Sequence, residues 1–316
     1  MKKFTSINDV ENLNELIALS EKVKQAPFDF KSIGRNKTIG LLFFNSSLRT
    51  RLSTQKAATN LGMTVMVMNI NNDGWSLELE DGTRMNADTQ EHIKEAAGVI
   101  SQYCDVIGVR SFASLKDRIG DYEDEIINKF IKYTTVPVIS LESAILHPLQ
   151  SLADVITINE NKTNNKTKVV LTWAPHPKAL PQAVANSFVE WVRETEMELI
   201  ITNPKGFDLA TRFTDGIKVM HDQDIALKEA DFVYAKNWSS YDDYGRIGIE
   251  FDDWTITEEK MKLTNNGKFM HCLPVRRNVV VSDEVIDSTN SLVLEQANNR
   301  TYAAQTVLLK MLQDEK

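Results

Sequence analysis

The sequence predicts an α/β fold made of two doubly wound parallel-sheet domains. Short apolar runs alternate with longer helical patterns, a rhythm typical of parallel strands covered by helices on both faces. The 316 residues are enough for about two domains of ordinary size. A polar, turn-rich stretch at Asn159–Thr167 interrupts the rhythm, and we predict a solvent-facing loop there that opens the second domain.

Each side of this loop carries its own series of elements. Before it, we predict strands at Thr38–Phe44, Thr64–Ile70, Asp105–Arg110 and Pro137–Glu142, with helices around Arg51–Leu61, Glu91–Gln102 and Glu123–Tyr133. After it, we predict strands at Lys168–Trp173, Glu198–Asn203, Ile217–His221, Asp231–Trp238 and Lys268–Leu273, with helices at Pro181–Glu194 and Asp222–Ala230. The amphipathic segment Asn298–Leu312 is predicted to close the fold as a terminal helix.

Composition excludes several classes of protein. The net charge of −8 and pI near 5.3 argue against a nucleic-acid-binding protein, which needs clustered basic surface. Two cysteines cannot form a disulfide framework, and both are expected to be reduced thiols. The N-terminus has no apolar signal segment, and no run of about 18 apolar residues suits a membrane span. We therefore expect a soluble, cytoplasmic protein that does not bind membranes.

Residues that follow the predicted strands are candidates for ligand binding, because doubly wound sheets bind ligands at the carboxyl ends of their strands. Asn45-Ser-Ser-Leu-Arg-Thr-Arg51 follows the first such strand and precedes a helix. The free N–H groups at the helix start, together with Arg49 and Thr50, would form a cradle for an anion. The alternative is an ordinary helix cap with surface arginines. A nucleotide site is not favoured, since neither a Walker loop nor a G-x-G-x-x-G motif is present.

Three further hydrogen-bond donors arrive at strand ends. Arg110 closes one strand, and His147-Pro-Leu-Gln150 follows the next, so that Arg, His and Gln could polarise one carbonyl or phosphate oxygen. The histidine alone could equally be structural. His271-Cys-Leu-Pro274 follows a later strand, but no Cys-x-x-Cys or His-x-x-x-His spacing supports zinc, and a metal-free site is predicted.

These motifs resemble those of the aspartate/ornithine carbamoyltransferases. Ser47-Leu-Arg-Thr-Arg51 is similar to their Ser-Thr-Arg-Thr-Arg phosphate loop, with Leu48 in place of the usual Thr. His147-Pro-Leu-Gln150 looks like their His-Pro-x-Gln motif, and His271-Cys-Leu-Pro274 and Asn299-Arg300 resemble motifs of the ornithine branch. The four motifs occur in family order and span nearly the whole chain.

The resemblance implies a carbamoyltransferase that needs no cofactor, because carbamoyl phosphate is already activated. A first domain, residues 1–148 with a C-terminal helix at about 298–316 packed on it, would bind carbamoyl phosphate, and a second, residues 149–297, the amino-acid acceptor. The implied carbamoyl phosphate ligands are Ser47, Leu48, Arg49, Thr50, Trp75, Arg110, His147, Gln150 and Arg300, with Arg110, His147 and Thr50 stabilising the oxyanion. The implied acceptor ligands are Gln90, Glu142, His176, Lys236, Cys272, Leu273 and Arg300.

The resemblance also implies a homotrimer with active sites shared between subunits. Asn72-Asp-Gly-Trp75 fits the loop that reaches into a neighbour's site in this family, with Trp75 as the reaching residue. The alternative is a turn that carries a half-buried tryptophan.

An N-acylated ornithine is the predicted acceptor. Ordinary ornithine enzymes carry an Asp facing the free α-ammonium, whereas this chain has Lys236, which would repel that cation. Acylation removes the ammonium and leaves oxygens that a lysine can bind. Trp173-Ala-Pro-His176-Pro-Lys-Ala-Leu-Pro181 likewise resembles the proline-rich loop of the N-acylornithine enzymes, where it is threaded into a knot.

The choice between acyl groups depends on Gln90. Acetyl-specific members carry a glutamate at this position, and its charge would repel a succinyl carboxylate; neutral Gln90 would not, although the adjacent Glu91 weakens this argument. Succinyl is therefore preferred, with acetylornithine or ordinary ornithine as alternatives. From other classes, a non-catalytic two-lobed binding protein would not need Arg49, Arg110 and His147 together, and a dehydrogenase lacks its dinucleotide motif.

Overall fold

The computed structural model describes residues 1–70, 72–163 and 166–314. Contacts within the chain separate two compact units. The first unit comprises Met1–Ala113, Gly120–Leu149 and the chain from Arg300 onward, and the second comprises Ser114–Ile119 and Gln150–Asn299. Positions 164 and 165 of the predicted loop, and positions 315 and 316 of the predicted C-terminal helix, lie outside the described residues.

A parallel sheet forms the centre of the first unit. The strands of this unit are β1 (Lys3–Phe4), β2 (Thr38–Phe43), β3 (Thr64–Asn69), β4 (Leu77–Glu78), β5 (Glu91–His92), β6 (Val106–Arg110) and β7 (Val138–Glu142). In the described chain the main sheet has the order β1-β7-β6-β2-β3, while β4 and β5 pair separately. Strands β6 and β7 are buried throughout, as expected when helices cover both faces, whereas the edge strand β3 alternates between exposed and half-buried residues.

Helices connect these strands. They are α1 (Leu13–Gln25), α2 (Arg49–Asn60), α3 (Ile93–Tyr103), α4 (Arg118–Glu123), whose first two residues belong to the second unit, and α5 (Glu125–Tyr133). Helix α1 begins at an Asn12 cap, whose side chain accepts the N–H of Glu15 at 3.2 Å. Helices α1 and α4 and strand β1 were not predicted.

The second unit repeats the architecture. Its elements in chain order are α6 (Pro148–Asn161), β8 (Lys168–Trp173), α7 (Ala183–Arg193), β9 (Glu198–Thr202), α8 (Thr211–Thr214), β10 (Lys218–Met220), α9 (Gln223–Leu227), β11 (Phe232–Lys236), α10 (Glu258–Met261), β12 (Lys268–Met270), α11 (Asp283–Ile286) and the start of α12 (Val293–Asp314). Five parallel strands of the described chain have the order β10-β9-β8-β11-β12.

The predicted fold class of parallel-sheet α/β domains with a terminal helix is confirmed. The last helix packs on the first unit, where Gln305 accepts a hydrogen bond from Asn60 at 2.9 Å and donates to the carbonyl of Pro27 at 2.6 Å. The predicted loop start at Asn159 was wrong, because α6 continues to Asn161. The threading of the proline-rich loop stays a prediction. Among the described residues, no helix combines the length and the apolar character that a membrane span requires.

Strand order fixes where each unit can bind a ligand. In the first sheet the chain leaves β2 for β3 on one side and continues to β6 on the other, which makes a topological switch point at β2 and β6. In the second sheet β8 lies between β9 and β11 in the same way. Crevices open at the carboxyl ends of strands at such points. The ends of β2, β6, β8 and β11 and the segments after them carry seven of the fifteen predicted site residues.

Candidate active site

The segment after β2 forms the start of α2, as expected for an anion cradle. Leu48 occupies the N-cap position without a side-chain cap, and its own side chain is exposed. Residue 48 can therefore bind a ligand through its backbone N–H but not through its side chain. Leucine in place of the family's usual threonine leaves the helix start without a side-chain cap. Arg49 is half-buried in the first turn, and Thr50 is buried beside it. The positive end of the helix dipole and these two side chains favour an anion here.

Thr50 belongs to a buried polar chain within the first unit. Arg300 donates Nη2 to Thr50 Oγ1 at 2.7 Å, and its Nη1 lies 3.4 Å from His147 Nε2. His147 Nε2 lies 3.6 Å from Glu142 Oε2, and the same carboxylate oxygen accepts from Arg110 Nη2 at 3.0 Å. All five side chains are at least nine-tenths buried. The carboxylate thus has one guanidinium and the imidazole beside it, and the second guanidinium lies against the imidazole, a set that can balance charge on a bound anion.

Arg110 is held rigidly at the end of β6. Its Nη1 donates to the carbonyls of Asn45 and Ser46 at 2.9 and 2.6 Å, and its guanidinium lies 4.1 Å from the ring centre of Phe112. The Asn45 side chain in turn accepts the N–H of Phe112 at 2.7 Å. These contacts connect the end of β6 to the segment after β2, so Arg110 and the start of α2 are positioned together.

Trp75 stands on an exposed loop of the first unit. Half of its surface is accessible, and its indole N–H donates to Glu91 Oε2 at 2.9 Å. Gln90, immediately before Glu91, is also exposed, and its N–H donates to the Ser76 carbonyl at 3.3 Å. The loop therefore keeps Trp75, Gln90 and Glu91 next to one another. Ser47 lies half-buried in the separate segment after β2.

A basic cluster lies in the second unit, after β8. Arg276 donates Nε to His176 Nε2 at 3.2 Å, so this nitrogen carries the lone pair, and Nδ1 lies 2.9 Å from the carbonyl and 3.1 Å from the backbone nitrogen of Lys178. Burial lowers the pKa of His176, and the positive charges of Lys236, Arg276 and Lys178 act in the same direction. His176 is thus a neutral member of a cationic group.

Lys236 ends β11 and is buried apart from 8 % of its surface. Its ammonium donates to the carbonyl of Asn237 at 2.9 Å. Burying a lysine is costly unless acceptors surround it, and a carboxylate or carbonyl ligand would add such an acceptor. Register places Lys236 opposite Trp173, the last residue of β8, so the basic cluster sits at the carboxyl edge of the sheet.

The His-Cys-Leu-Pro segment follows β12, which ends at Met270. The prediction that this strand extends to Leu273 was wrong, because the backbone turns away there. Leu273 has φ of 53°, and the bond to Pro274 is cis. His271 Nδ1 accepts the N–H of Leu273 at 2.8 Å, and Cys272 is buried. A left-handed non-glycine residue stabilised by its neighbours is a feature that recurs at functional sites.

Gln150 and Asp154 carry a contact that the sequence analysis did not predict. Gln150 Nε2 donates to Asp154 Oδ1 at 2.7 Å, and Gln296 Nε2 donates to the same oxygen at 2.7 Å. Asp154 follows Gln150 by one helical turn, and that spacing was the available signal. Gln296 is distant in sequence and offered none. Arg276 is not among the predicted site residues, and its contact with His176 was not predicted.

The structure therefore brings seven of the fifteen predicted site residues together in two groups. Thr50, Arg110, Glu142, His147 and Arg300 form one in the first unit. His176 and Lys236 form the other in the second unit. Within the described residues, no group of three or more His, Cys, Asp or Glu side chains is arranged to hold a metal ion.

Family models match both parts of the chain. Residues 2–160 match the carbamoyl-P binding domain of the aspartate/ornithine carbamoyltransferases, and residues 181–311 match their Asp/Orn binding domain. The chain belongs to the aspartate/ornithine carbamoyltransferase family. It is a carbamoyltransferase, and the resemblance drawn from the four sequence motifs is confirmed.

Two relatives and one solved structure show how similar the chain is to individual carbamoyltransferases. An N-succinylornithine carbamoyltransferase of Bacteroides thetaiotaomicron is 51% identical over 315 residues, which cover 99% of each chain. An N-acetylornithine carbamoyltransferase of Xanthomonas axonopodis is 38% identical over 295 residues, 87% of this chain and 86% of that one. A Glu-to-Ala variant of an N-acetyl-L-ornithine transcarbamylase, solved with carbamyl phosphate and N-succinyl-L-norvaline, superposes with a TM-score of 0.93 at 36% identity, covering 98% of this chain and 100% of that one.

Proposed function

We propose that the protein transfers the carbamoyl group of carbamoyl phosphate to the δ-amine of N-succinyl-L-ornithine, giving N-succinylcitrulline and phosphate in arginine biosynthesis. The observation that carries this proposal is the full-length identity of 51% to N-succinylornithine carbamoyltransferases, against 38% to N-acetylornithine enzymes. The first unit would bind carbamoyl phosphate, and the second would bind the acylated amino acid.

The phosphate end of the donor suits the start of α2. Backbone N–H groups from Ser47 to Thr50 and the side chain of Arg49 would receive its oxygens. Arg300 already reaches Thr50, and its charge would help to balance the phosphate dianion. Phosphate binding by a desolvated arginine and a helix start is strong, because both act in a medium that screens charge poorly.

The carbamoyl carbon would be activated by Arg110, His147 and Thr50. As the amine attacks, negative charge develops on the carbonyl oxygen, and fixed donors that stabilise this charge accelerate the reaction. Arg110 is held in place by Glu142 and by two backbone carbonyls, so little reorganisation is needed. The attacking amine must be neutral, and the departing phosphate would take its proton. No further group is needed, since phosphate is a good leaving group.

The second unit complements a substrate with two carboxylates. N-Succinylornithine carries an α-carboxylate and a succinyl carboxylate, while the acetyl compound carries only the first. Lys236, Arg276 and Lys178 supply positive charge around neutral His176. Backbone groups of Cys272 and Leu273 would orient the attacking amine. An acceptor with a free α-ammonium would instead be repelled by Lys236.

The uncharged Gln90 side chain would not repel the carboxylate of the succinyl tail. A glutamate there would oppose a second carboxylate, whereas an amide does not. The solved Glu-to-Ala transcarbamylase variant, which carries N-succinyl-L-norvaline, is consistent with a glutamate controlling access of succinyl compounds in the acetyl enzymes. Glu91 is adjacent, and its carboxylate accepts a hydrogen bond from the Trp75 indole at 2.9 Å.

We propose a homotrimer with shared sites for the assembled protein. The edge strand β3 exposes Met66 and Met68, and the helix beside it exposes Leu48 and Leu52, each by 40% or more. Exposed apolar side chains on an edge strand and its helix are typical of an interface between copies. Trp75, half-exposed on a loop of the same unit, would then reach a neighbour's carbamoyl phosphate.

One assay tests the acceptor. Purified protein with carbamoyl phosphate is offered ornithine, N-acetylornithine and N-succinylornithine separately, and phosphate release is measured with mass-spectrometric detection of each citrulline product. We expect kcat/KM to be highest with N-succinylornithine. Turnover of N-acetylornithine at an equal or higher kcat/KM would transfer the assignment to the acetyl compound. Turnover of ornithine alone would refute the role given to Lys236.

A further inference from the structure

A side chain joins the start of the proline-rich loop to the end of β11. The ladder between β8 and β11 ends at Trp173 and Lys236. Pro175, two residues further on, has no backbone N–H, so β8 cannot continue as a regular strand in the middle of its sheet. The buried carbonyl of Ala174 instead accepts a hydrogen bond from Asn237 Nδ2 at 2.7 Å. An amide side chain thus provides the donor that this buried carbonyl needs.

The backbone of Asn237 contacts the neighbouring lysine as well. Its carbonyl accepts from the Lys236 ammonium at 2.9 Å, and the Lys236 carbonyl accepts the N–H of Ala174 at 3.2 Å. Asn237 is itself buried. This one residue therefore contacts both the start of the proline-rich loop and the ammonium group at the end of β11.

The other end of the loop is attached to the same segment. Ser239 donates its backbone N–H to the Leu180 carbonyl at 3.0 Å, and its own carbonyl accepts from Gln182 Nε2 at 2.9 Å. All of these residues belong to the second unit. The segment after β11 thus fixes the loop at both ends, and the side chain of Asn237 forms the contact at its start.

The loop is stiff where it carries the imidazole. Pro175 and Pro177 flank His176, and each proline fixes its own φ and restricts the residue before it. Few backbone rotations remain between Ala174 and the imidazole to absorb a displacement of Ala174. The position of the imidazole therefore depends on the contact that Asn237 makes.

We infer that Asn237 is a positioning residue that holds His176 in place relative to Lys236 for binding of the acylated acceptor. This inference rests on the proposed function, in which both of these side chains bind that acceptor. Two side chains that are held in place before the ligand arrives lose less conformational freedom on binding, and the affinity is higher for that reason. Asn237 acts on both, through its amide on one element and its carbonyl on the other.

The alternative is a buried amide that only stabilises the second unit. Replacing such a residue would lower stability, because the Ala174 carbonyl would lose its donor in the interior. The effect on catalysis would then not depend on the presence of His176. Asn203 is a matched control, since it is also buried in the second unit and donates from Nδ2 to a backbone carbonyl, that of Pro204, at 2.9 Å.

A double-mutant cycle distinguishes the two roles. Asn237→Leu removes the donor and keeps a side chain of similar size, and we expect kcat/KM for N-succinylornithine to fall by roughly tenfold or more. In a His176→Ala background, the factor lost on Asn237→Leu should be smaller by about threefold or more, because the imidazole that it displaces is already absent. Factors that differ by less than this would overturn the inference.

Two further measurements exclude a general loosening of the fold. Asn203→Leu should change kcat/KM by the same factor in both backgrounds, and coupling to His176 as large as that of Asn237 would overturn the inference. Calorimetry should give Asn237→Leu a Kd for carbamoyl phosphate within about twofold of wild type, because the proposed phosphate ligands belong to the first unit. A loss of this affinity as large as the loss in kcat/KM would also overturn it.

The outcomes separate the inference from the proposed function. If wild-type protein turns over none of the three ornithine compounds, the proposed function fails. If wild type is active but the cycle shows no coupling, only the role of Asn237 fails. Should N-acetylornithine prove the better acceptor, the cycle is measured with that compound. Thermal unfolding of each variant accompanies the kinetics, and the same cycle with Asn237→Ala decides the inference if Asn237→Leu does not fold.

Discussion

Arg300 donates a hydrogen bond to Thr50 across 250 positions of sequence, at 2.7 Å and out of contact with solvent. One partner belongs to the first turn of α2 and the other to the last helix. The guanidinium also lies 3.4 Å from His147. Thr50 and His147, which we propose to bind the phosphate and the carbamoyl group, are therefore connected by a residue from the far end of the chain, and a change to any of the three is expected to alter the other two.

Replacing Arg49 by alanine should weaken carbamoyl phosphate binding. Loss of a charge-assisted pair in a desolvated site costs roughly 2–4 kcal/mol, or about 30- to 1000-fold in Kd. Titration calorimetry with carbamoyl phosphate measures the change. Arg35→Ala, which removes an exposed arginine of the same unit, should leave Kd unchanged. Near-normal binding by Arg49→Ala would remove this residue from the site.

Gln90→Glu should change the preference between acceptors. The added charge opposes the succinyl carboxylate and has no counterpart in acetylornithine, so kcat/KM should fall more for the succinyl compound, by roughly tenfold or about 1.4 kcal/mol. Gln313→Glu adds the same charge at an exposed position of α12 and should have no effect on the ratio. Equal losses with both acceptors would show that position 90 does not face the acyl tail.

Lys236→Asp should depress activity with the acylated acceptor. An anion would replace the donor to its oxygens, and the expected cost is at least about 2 kcal/mol in kcat/KM, roughly thirtyfold. Activity with free ornithine is not expected to appear from this change alone. Steady-state kinetics with both acceptors measures this. Unchanged kinetics with the acylated substrate would contradict the proposed contact.

Glu190 should make stability depend on pH. Burial raises the pKa of this carboxyl on α7 to about 7, only partly offset by Arg212 and Arg193. Because the pKa of Glu190 is higher in the folded than in the unfolded protein, its protonation stabilises the fold. This stabilisation is complete below the unfolded-state pKa near 4.5 and is lost as pH rises through 7. Glu190→Gln should therefore match wild type at pH 4.5 and raise Tm by roughly 2–4 °C at pH 8. Glu194→Gln, at the exposed end of the same helix, should show no such trend.

Mixed subunits should reveal whether Trp75 acts on its neighbour. Neither Trp75→Ala nor Arg49→Ala alone is expected to be active. If one site takes Trp75 from one subunit and Arg49 from the next, mixing the two variants recreates some intact sites, and activity returns. Native mass spectrometry confirms that mixed trimers have formed. Mixed trimers without activity would place Trp75 in its own subunit's site or in none.

Elements of the fold were predictable from the sequence where the hydrophobic periodicity and the amino-acid composition indicated the same kind of element. Strands β2, β6, β7 and β8 were predicted to within one or two residues, because each is a short apolar run bounded by polar residues. Helix α6 was not predicted, because nearly all residues of its first turns are buried. A helix without an exposed face does not show the 3.6-residue alternation of polar and apolar residues that indicates a helix. Strand β1 has two residues, too few for any pattern, and its pairing with β7 depends on tertiary structure.

The site was predictable only as far as local motifs reach. Arg49, Arg110 and His147 were indicated by their positions after strands, and Arg300 by a motif near the last helix. The contacts between them could not be inferred, because Thr50 and Arg300 meet only in the folded chain. The Gln296 contact to Asp154 spans 142 positions and has no sequence signature.

The contact between Arg300 and Thr50 also bears on biosynthesis. A ribosome delivers the proposed phosphate site at the start of α2 early and the guanidinium of α12 late, so in a nascent chain this proposed site is incomplete until α12 has emerged. Fragments that stop before residue 300 would lack the guanidinium that contacts Thr50, and we expect them to bind carbamoyl phosphate weakly. Donor binding would thus be restricted to chains synthesised through their last helix.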